Sequence, residues 1–123
     1  MNRTRFTIAI TILTTLGAAT LSTAALRPTQ VLMQARAGWL KGMNEAVQKK
    51  DFATVVKHAQ ELSNQTATVA RNLDGERQQL TQRVSELARE AGEAAKKKDE
   101  AGVKGKLAEI KGTCATCHDK YRK

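Results

Sequence analysis

The residues of this chain best equipped for chemistry stand together close to its end, in the run Cys114-Ala115-Thr116-Cys117-His118. The run holds both cysteines and one of the two histidines among 123 residues. On a helix, positions i, i+3 and i+4 share one face. Two thiols so spaced can add to the two vinyl groups of one porphyrin while the imidazole points at its iron. Cys-x-x-Cys-His is the sequence through which haem is attached covalently. Three other uses compete for the same residues. A disulfide suits two cysteines of an exported chain. A thioredoxin-like redox pair needs a strand–turn–helix setting, which the flanking sequence lacks. A structural zinc ion needs four ligands, and only His58 is left to join these three. One covalently attached haem c is the assignment that gives all three residues work at this spacing.

A chain of this length holds one domain. Arg3 and Arg5 make a basic start, residues 6–21 are apolar with threonines, and Ser22-Thr23-Ala24-Ala25 supplies small residues for cleavage. Residues 1–25 are therefore expected to be a cleaved signal peptide and residues 26–123 the mature haem domain. The apolar stretch is short and threonine-rich for a spanning helix, so no membrane association is expected after cleavage. A periplasmic location also suits covalent haem. The net charge is +9, two units of it from Arg3 and Arg5. The chain carries no nucleic-acid motif and only 3% aromatics, and its lysines cluster at turns (Lys49-Lys50, Lys96-Lys97-Lys98). The charge thus points to an acidic redox partner protein and not to nucleic acid. A homodimer stays open. With no Ser/His/Asp arrangement, paired carboxylates or phosphate loop in the sequence, an enzyme is not expected.

Something must hold the haem residues in place, and the periodicity says what. Pro28, the only proline, stands where a helix would start. Through residues 29–50, Val31, Leu32, Ala35, Trp39, Leu40, Met43, Ala46 and Val47 recur at three and four. Gly38 and Gly42 weaken that helix locally and leave room for something bulky to lie close. Asp51 is placed to cap a second helix with the stripe Phe52, Val55, Val56, Ala59, Leu62, Thr66, Val69 and Leu73. Residues 72–75 read as a turn, and a third helix follows with Leu80, Val84, Leu87, Ala91 and Ala94. Asp99 caps a fourth, whose seam runs Val103, Leu107, Ile110, Cys114, Cys117, Tyr121. The spacing predicts an all-α, antiparallel four-helix bundle with covalent haem near the C-terminus of the fourth helix, inside the bundle. A faint repeat supports the register: Lys49-Lys50-Asp51 returns as Lys97-Lys98-Asp99.

A haem motif at the C-terminal end of an all-helical chain resembles the class II c-type cytochromes, the cytochrome c-prime family. The run from Lys111 to Arg122 is similar to that family's ending, where an aromatic and an arginine follow the haem histidine by three and four residues. Thr29-Gln30-Val31-Leu32-Met33 is similar to the segment that carries the sixth iron ligand in the low-spin, methionine-ligated branch. The resemblance implies His118 as proximal ligand, Met33 as sixth ligand and Arg122 reaching a haem propionate. Tyr121 is open between haem packing and core, and so is Trp39. Met43 is expected to pack and His58 to lie at the surface. The sequence departs from the family in a short connection between helices two and three, and in Thr29, near where an arginine is often found. Two activities follow from the resemblance: a periplasmic electron carrier, or a five-coordinate haem protein that binds or senses NO or CO.

Overall fold

Four apolar stripes joined by short polar turns bury themselves most simply against one another, and the computed structural model, which describes residues 28–122, is an antiparallel four-helix bundle. Its helices are α1 (Pro28–Gln48), α2 (Phe52–Ala70), α3 (Gly75–Lys96) and α4 (Glu100–Tyr121), and the described residues contain no strand. The expected signal peptide lies outside the described residues. None of the described helices is long and apolar enough to cross a membrane.

The repeated Lys-Lys-Asp turns are built alike. Lys50 and Lys98 both take the left-handed conformation, each with φ 56°. In the first turn Lys50 N–H donates to Val47 O (3.1 Å) and Asp51 N–H to Ala46 O (2.8 Å). In the second, Lys98 N–H donates to Ala95 O and Asp99 N–H to Ala94 O, both at 2.9 Å. This pairing closes the end of a helix with a left-handed residue after its cap. The aspartate then begins the next helix: its carboxylate accepts from Thr54 N–H (3.2 Å) in one turn and Gly102 N–H (2.9 Å) in the other. One aspartate ends a helix through its backbone and starts another through its side chain. The left-handed Lys50 is also why α1 stops at Gln48, two residues short of the sequence expectation.

The core takes Met43 and Val47 from α1, Val55, Ala59 and Leu62 from α2, Val84, Leu87 and Ala88 from α3, and Val103, Leu107 and Ile110 from α4. Each large side chain of this set contributes about 1.5–3 kcal/mol by leaving water. Small residues draw the helices together. A Cβ on Gly92 of α3 would sit 3.4 Å from Ala59 of α2, and nearby Ser63 and Ser85 exchange hydroxyl-to-carbonyl hydrogen bonds at 3.0 and 2.8 Å. Between α1 and α2 the bulky neighbour expected at the glycines is found at Gly42 and not at Gly38, where a Cβ would meet nothing within 4 Å. The His58 ring lies where a Cβ on Gly42 would be, 2.9 Å from it. α1 leans chiefly on α2, and its seam with α4 is the lightest in the bundle.

Candidate functional site

The core stripe of α4 runs Val103, Leu107, Ile110 and arrives, one turn later, at Cys114, which packs against the core cluster. Cys117 and His118 follow on the same face, and all three are half-buried. Both cysteines are free thiols. Opposite them α1 presents Met33 and Arg36, while α3 closes the side with Leu80, Thr81 and Val84. The sequence placed Leu80 on the core stripe of α3. In the structure that stripe turns slightly, through Thr81, Val84, Leu87, Ala88 and Ala91, and leaves Leu80 half-buried at this cleft.

The cleft encloses a cavity of about 30 Å³, enough for about two waters. A porphyrin needs α1 to stand off from α4, and that seam is the one with least packing to lose. A larger groove of about 270 Å³ runs between α2 and α3, lined by Ala59, Ser63, Ala88 and Gly92 among others, with no Cys, His or Met. Chemistry, not volume, marks the site.

Charge is unusual here. Burial pushes the Cys114 thiol up from its ordinary pKa against the pull of the Arg36 guanidinium. Burial in turn lowers the pKa of Arg36, and both cysteines lie near enough to oppose that shift. Arg36 Nε donates to Gln65 Oε1 at 2.7 Å, and Gln65 Nε2 donates back to Leu32 O at 3.4 Å. Arg36 Nη1 donates to Met33 Sδ at 3.9 Å. Arg36 Nη2 is buried with no hydrogen-bond partner among the described residues. Sequence reasoning passed over Arg36, yet a signal was there: with Met33, Leu40, Met43 and Val47 it keeps the three-and-four spacing of the stripe. A cation on an apolar stripe asks for a reason.

The donor set fits a covalent haem. Two thiols and an imidazole share one helical face, a thioether comes from the facing helix, and a half-buried cation borders the cleft. By contrast, among the described residues no group of three or more His, Cys, Asp or Glu side chains converges as ligands of one bare ion would.

The end of α4 is tied down from α3. The Lys120 ammonium and the Tyr121 hydroxyl both donate to the Glu76 carboxylate, the latter at 2.9 Å, and the Arg77 guanidinium lies 5.8 Å over the Tyr121 ring. These contacts hold the Glu76 carboxyl below its ordinary pKa. Tyr121 is 42% exposed and so is not a core aromatic. The seam reaches it only at the end of the bundle, where α3 starts at Gly75 and offers it the Glu76 carboxylate as a hydrogen-bond acceptor in place of an apolar wall. Arg122 is exposed and is the residue at which α4 ends, its N–H donating to His118 O at 3.0 Å.

Of the other residues singled out from sequence, Met43 is fully buried in the core and Trp39 packs against it. His58 is half-buried over Gly42, with Nδ1 3.4 Å from Glu61 Oε2. None of the three lines the cleft. The structure brings Met33 to Cys114, Cys117 and His118, and it adds Arg36.

No curated protein and no solved structure matches the chain. Residues 71–122, less than half of the chain but all of α3, α4 and the Cys114–Arg122 run, match the family model of Cytochrome C'.

Proposed function

We propose that the chain is a periplasmic mono-haem c-type cytochrome of the cytochrome c-prime kind, which carries single electrons between redox partner proteins and is not an enzyme. The observation that carries this reading is the meeting of Cys114, Cys117 and His118 with Met33 across one cleft. Bound there, haem supplies a one-electron ferric–ferrous couple. Cys114 and Cys117 would hold it by thioether bonds, and the His118 imidazole would be its proximal ligand. The Met33 thioether would be the sixth, a soft donor that favours ferrous iron and closes the site to other ligands. The exposed Lys111 and Arg122 at this end of the molecule suit an acidic partner.

One observation favours a second reading, the five-coordinate protein that binds NO or CO: Met33 Sδ already accepts from Arg36 and lies on a helix only lightly packed against α4. The match to Cytochrome C' begins at residue 71 and so does not reach Met33.

Acid–acetone extraction of the purified protein, followed by ferric and ferrous spectra, tests both readings. Haem that stays with the protein is expected; haem that extracts freely overturns the proposal. With Met33 bound, the ferric protein is low-spin with a weak near-infrared sulfur-to-iron band. Met33→Ala is then expected to be high-spin, to have a lower potential and to bind CO readily, whereas Met43→Ala and His58→Ala leave the spectrum alone. A wild-type protein that is already high-spin and takes CO at once moves the assignment to the gas binder.

A further inference from the structure

Arg36 is a cation set into an apolar cleft with one donor open. Its Nε is held by Gln65 at 2.7 Å, Nη1 meets Met33 Sδ at 3.9 Å, and Nη2 is buried without a hydrogen-bond partner among the described residues. No carboxylate lines the cleft; its walls are Leu80, Thr81, Val84, Thr113 and the haem-motif residues. A desolvated guanidinium that faces no anion is costly, and an anion that reaches its free N–H removes the cost. A carboxylate of the haem is one possible source. The vinyl carbons that take the cysteines and the propionates stand on opposite edges of a porphyrin, however, and Arg36 lies near both Cys114 and Cys117. That leaves a small free anion, entering from the α1 side where the Met33 sulfur lies.

We propose that Arg36 makes the α1 side of this cleft an anion-accepting site. Nη1, the donor that now meets Met33 Sδ, gives its N–H to a small anion such as azide or nitrite at that position, with the open Nη2 beside it, and anion and thioether compete for that place. The inference rests on the haem reading above and deepens it. A cleft with this arginine separates ligands by charge, because a neutral diatomic gains little from the guanidinium while an anion gains a charge-assisted hydrogen bond. Gln65 is the positioning residue. It holds the guanidinium from α2, so the open N–H stays fixed when Met33 moves away.

The test uses the haem-loaded full chain and azide as the probe, read from the ferric spectrum, with CO binding to the ferrous protein as the neutral reference. Met33→Ala is expected to bind azide more tightly than the wild type does, because the competing sulfur is gone. In that background Arg36→Leu is expected to lower azide affinity about 10- to 100-fold, the worth of one hydrogen bond to a charged group. CO affinity is expected to stay within about threefold, since a neutral ligand forfeits no ionic bond. Arg36→Lys keeps the charge without the fork and is expected to fall between. Thermal melts followed by circular dichroism establish that each variant is folded; if Arg36→Leu is not, Arg36→Lys and Gln65→Ala carry the comparison. Azide affinity indifferent to Arg36, or azide and CO affinities falling in parallel, overturns the proposal and leaves the haem reading standing. A chain that carries no haem overturns both.

Discussion

Replacing Lys98 by glycine should make this protein more stable, and the size of the gain follows from the turn. Lys98 sits at φ 56°, where a side chain costs about 1–2 kcal/mol because Cβ crowds the following carbonyl. Glycine removes that cost but frees the unfolded chain, which returns about 0.5–1 kcal/mol. The net gain is about 0.5–1 kcal/mol, or about 2–8 °C in melting temperature for a domain of this size. The hydrogen bonds that close the turn are backbone to backbone and survive the change. Lys50→Gly should gain less. The hydrogen bond from Lys104 chiefly holds the Glu100 carboxyl below its ordinary pKa, the Lys50 charge adds to this, and glycine gives that addition up. Lys98→Ala is the control, since it removes the charge and keeps the Cβ, so no gain is expected. Both turns lie at the end of the bundle away from His118, roughly twenty residues and about 30 Å along α4 from it. The haem spectrum and potential should therefore not move. Thermal unfolding of the three variants checks the argument; Lys98→Gly no more stable than Lys98→Ala would refute it.

Two further outcomes follow from the packing of α4. Ile110 is 0% exposed one turn before Cys114, so Ile110→Ala is expected to cost about 2–5 kcal/mol by urea unfolding, and Ile110→Val about 0.5–1.5 kcal/mol. The clamp on the end of α4 gives an acid limb. The Glu76 carboxyl is lowered by hydrogen bonds from Lys120 and Tyr121, so its contribution is present above the unfolded-state pKa and is lost as pH falls through the folded one. Urea midpoints measured from about pH 5 down to about pH 2 should decline less steeply in Glu76→Gln than in the wild type.

The architecture was open to sequence reasoning because each of its devices is local. The stripes at three and four, the aspartates that cap α2 and α4, and the repeated Lys-Lys-Asp turn each involve residues within a few positions of one another, and they hold in the structure except that the stripes lose Val31, which is 48% exposed, Leu80 and Tyr121. The haem motif was legible for the same reason, its three residues lying within five. What escaped depends on partners distant in sequence. Leu80 and Tyr121 kept the spacing of core residues, but periodicity does not say where a neighbouring helix starts or ends. Arg36 has its meaning from Gln65, 29 residues on, and from cysteines on another helix.

The placement of these features also says why one bundle can be both firm and adjustable. The left-handed lysine turns stand at one end, and the close approach of Gly92 to Ala59 together with the Ser63–Ser85 hydrogen bonds ties α2 to α3. α1 is held mainly by α2, and its light seam with α4 is the one across which Met33 and Arg36 face Cys114 and His118. Substitutions at the turns should therefore shift stability and leave the spectrum alone, whereas substitutions at Met33 and Arg36 should shift ligation with small effects on stability. A spectrum that followed the turns, or a melting temperature that collapsed in both cleft variants, would mean that the two ends are one cooperative unit and that the light α1–α4 seam is not what frees the site.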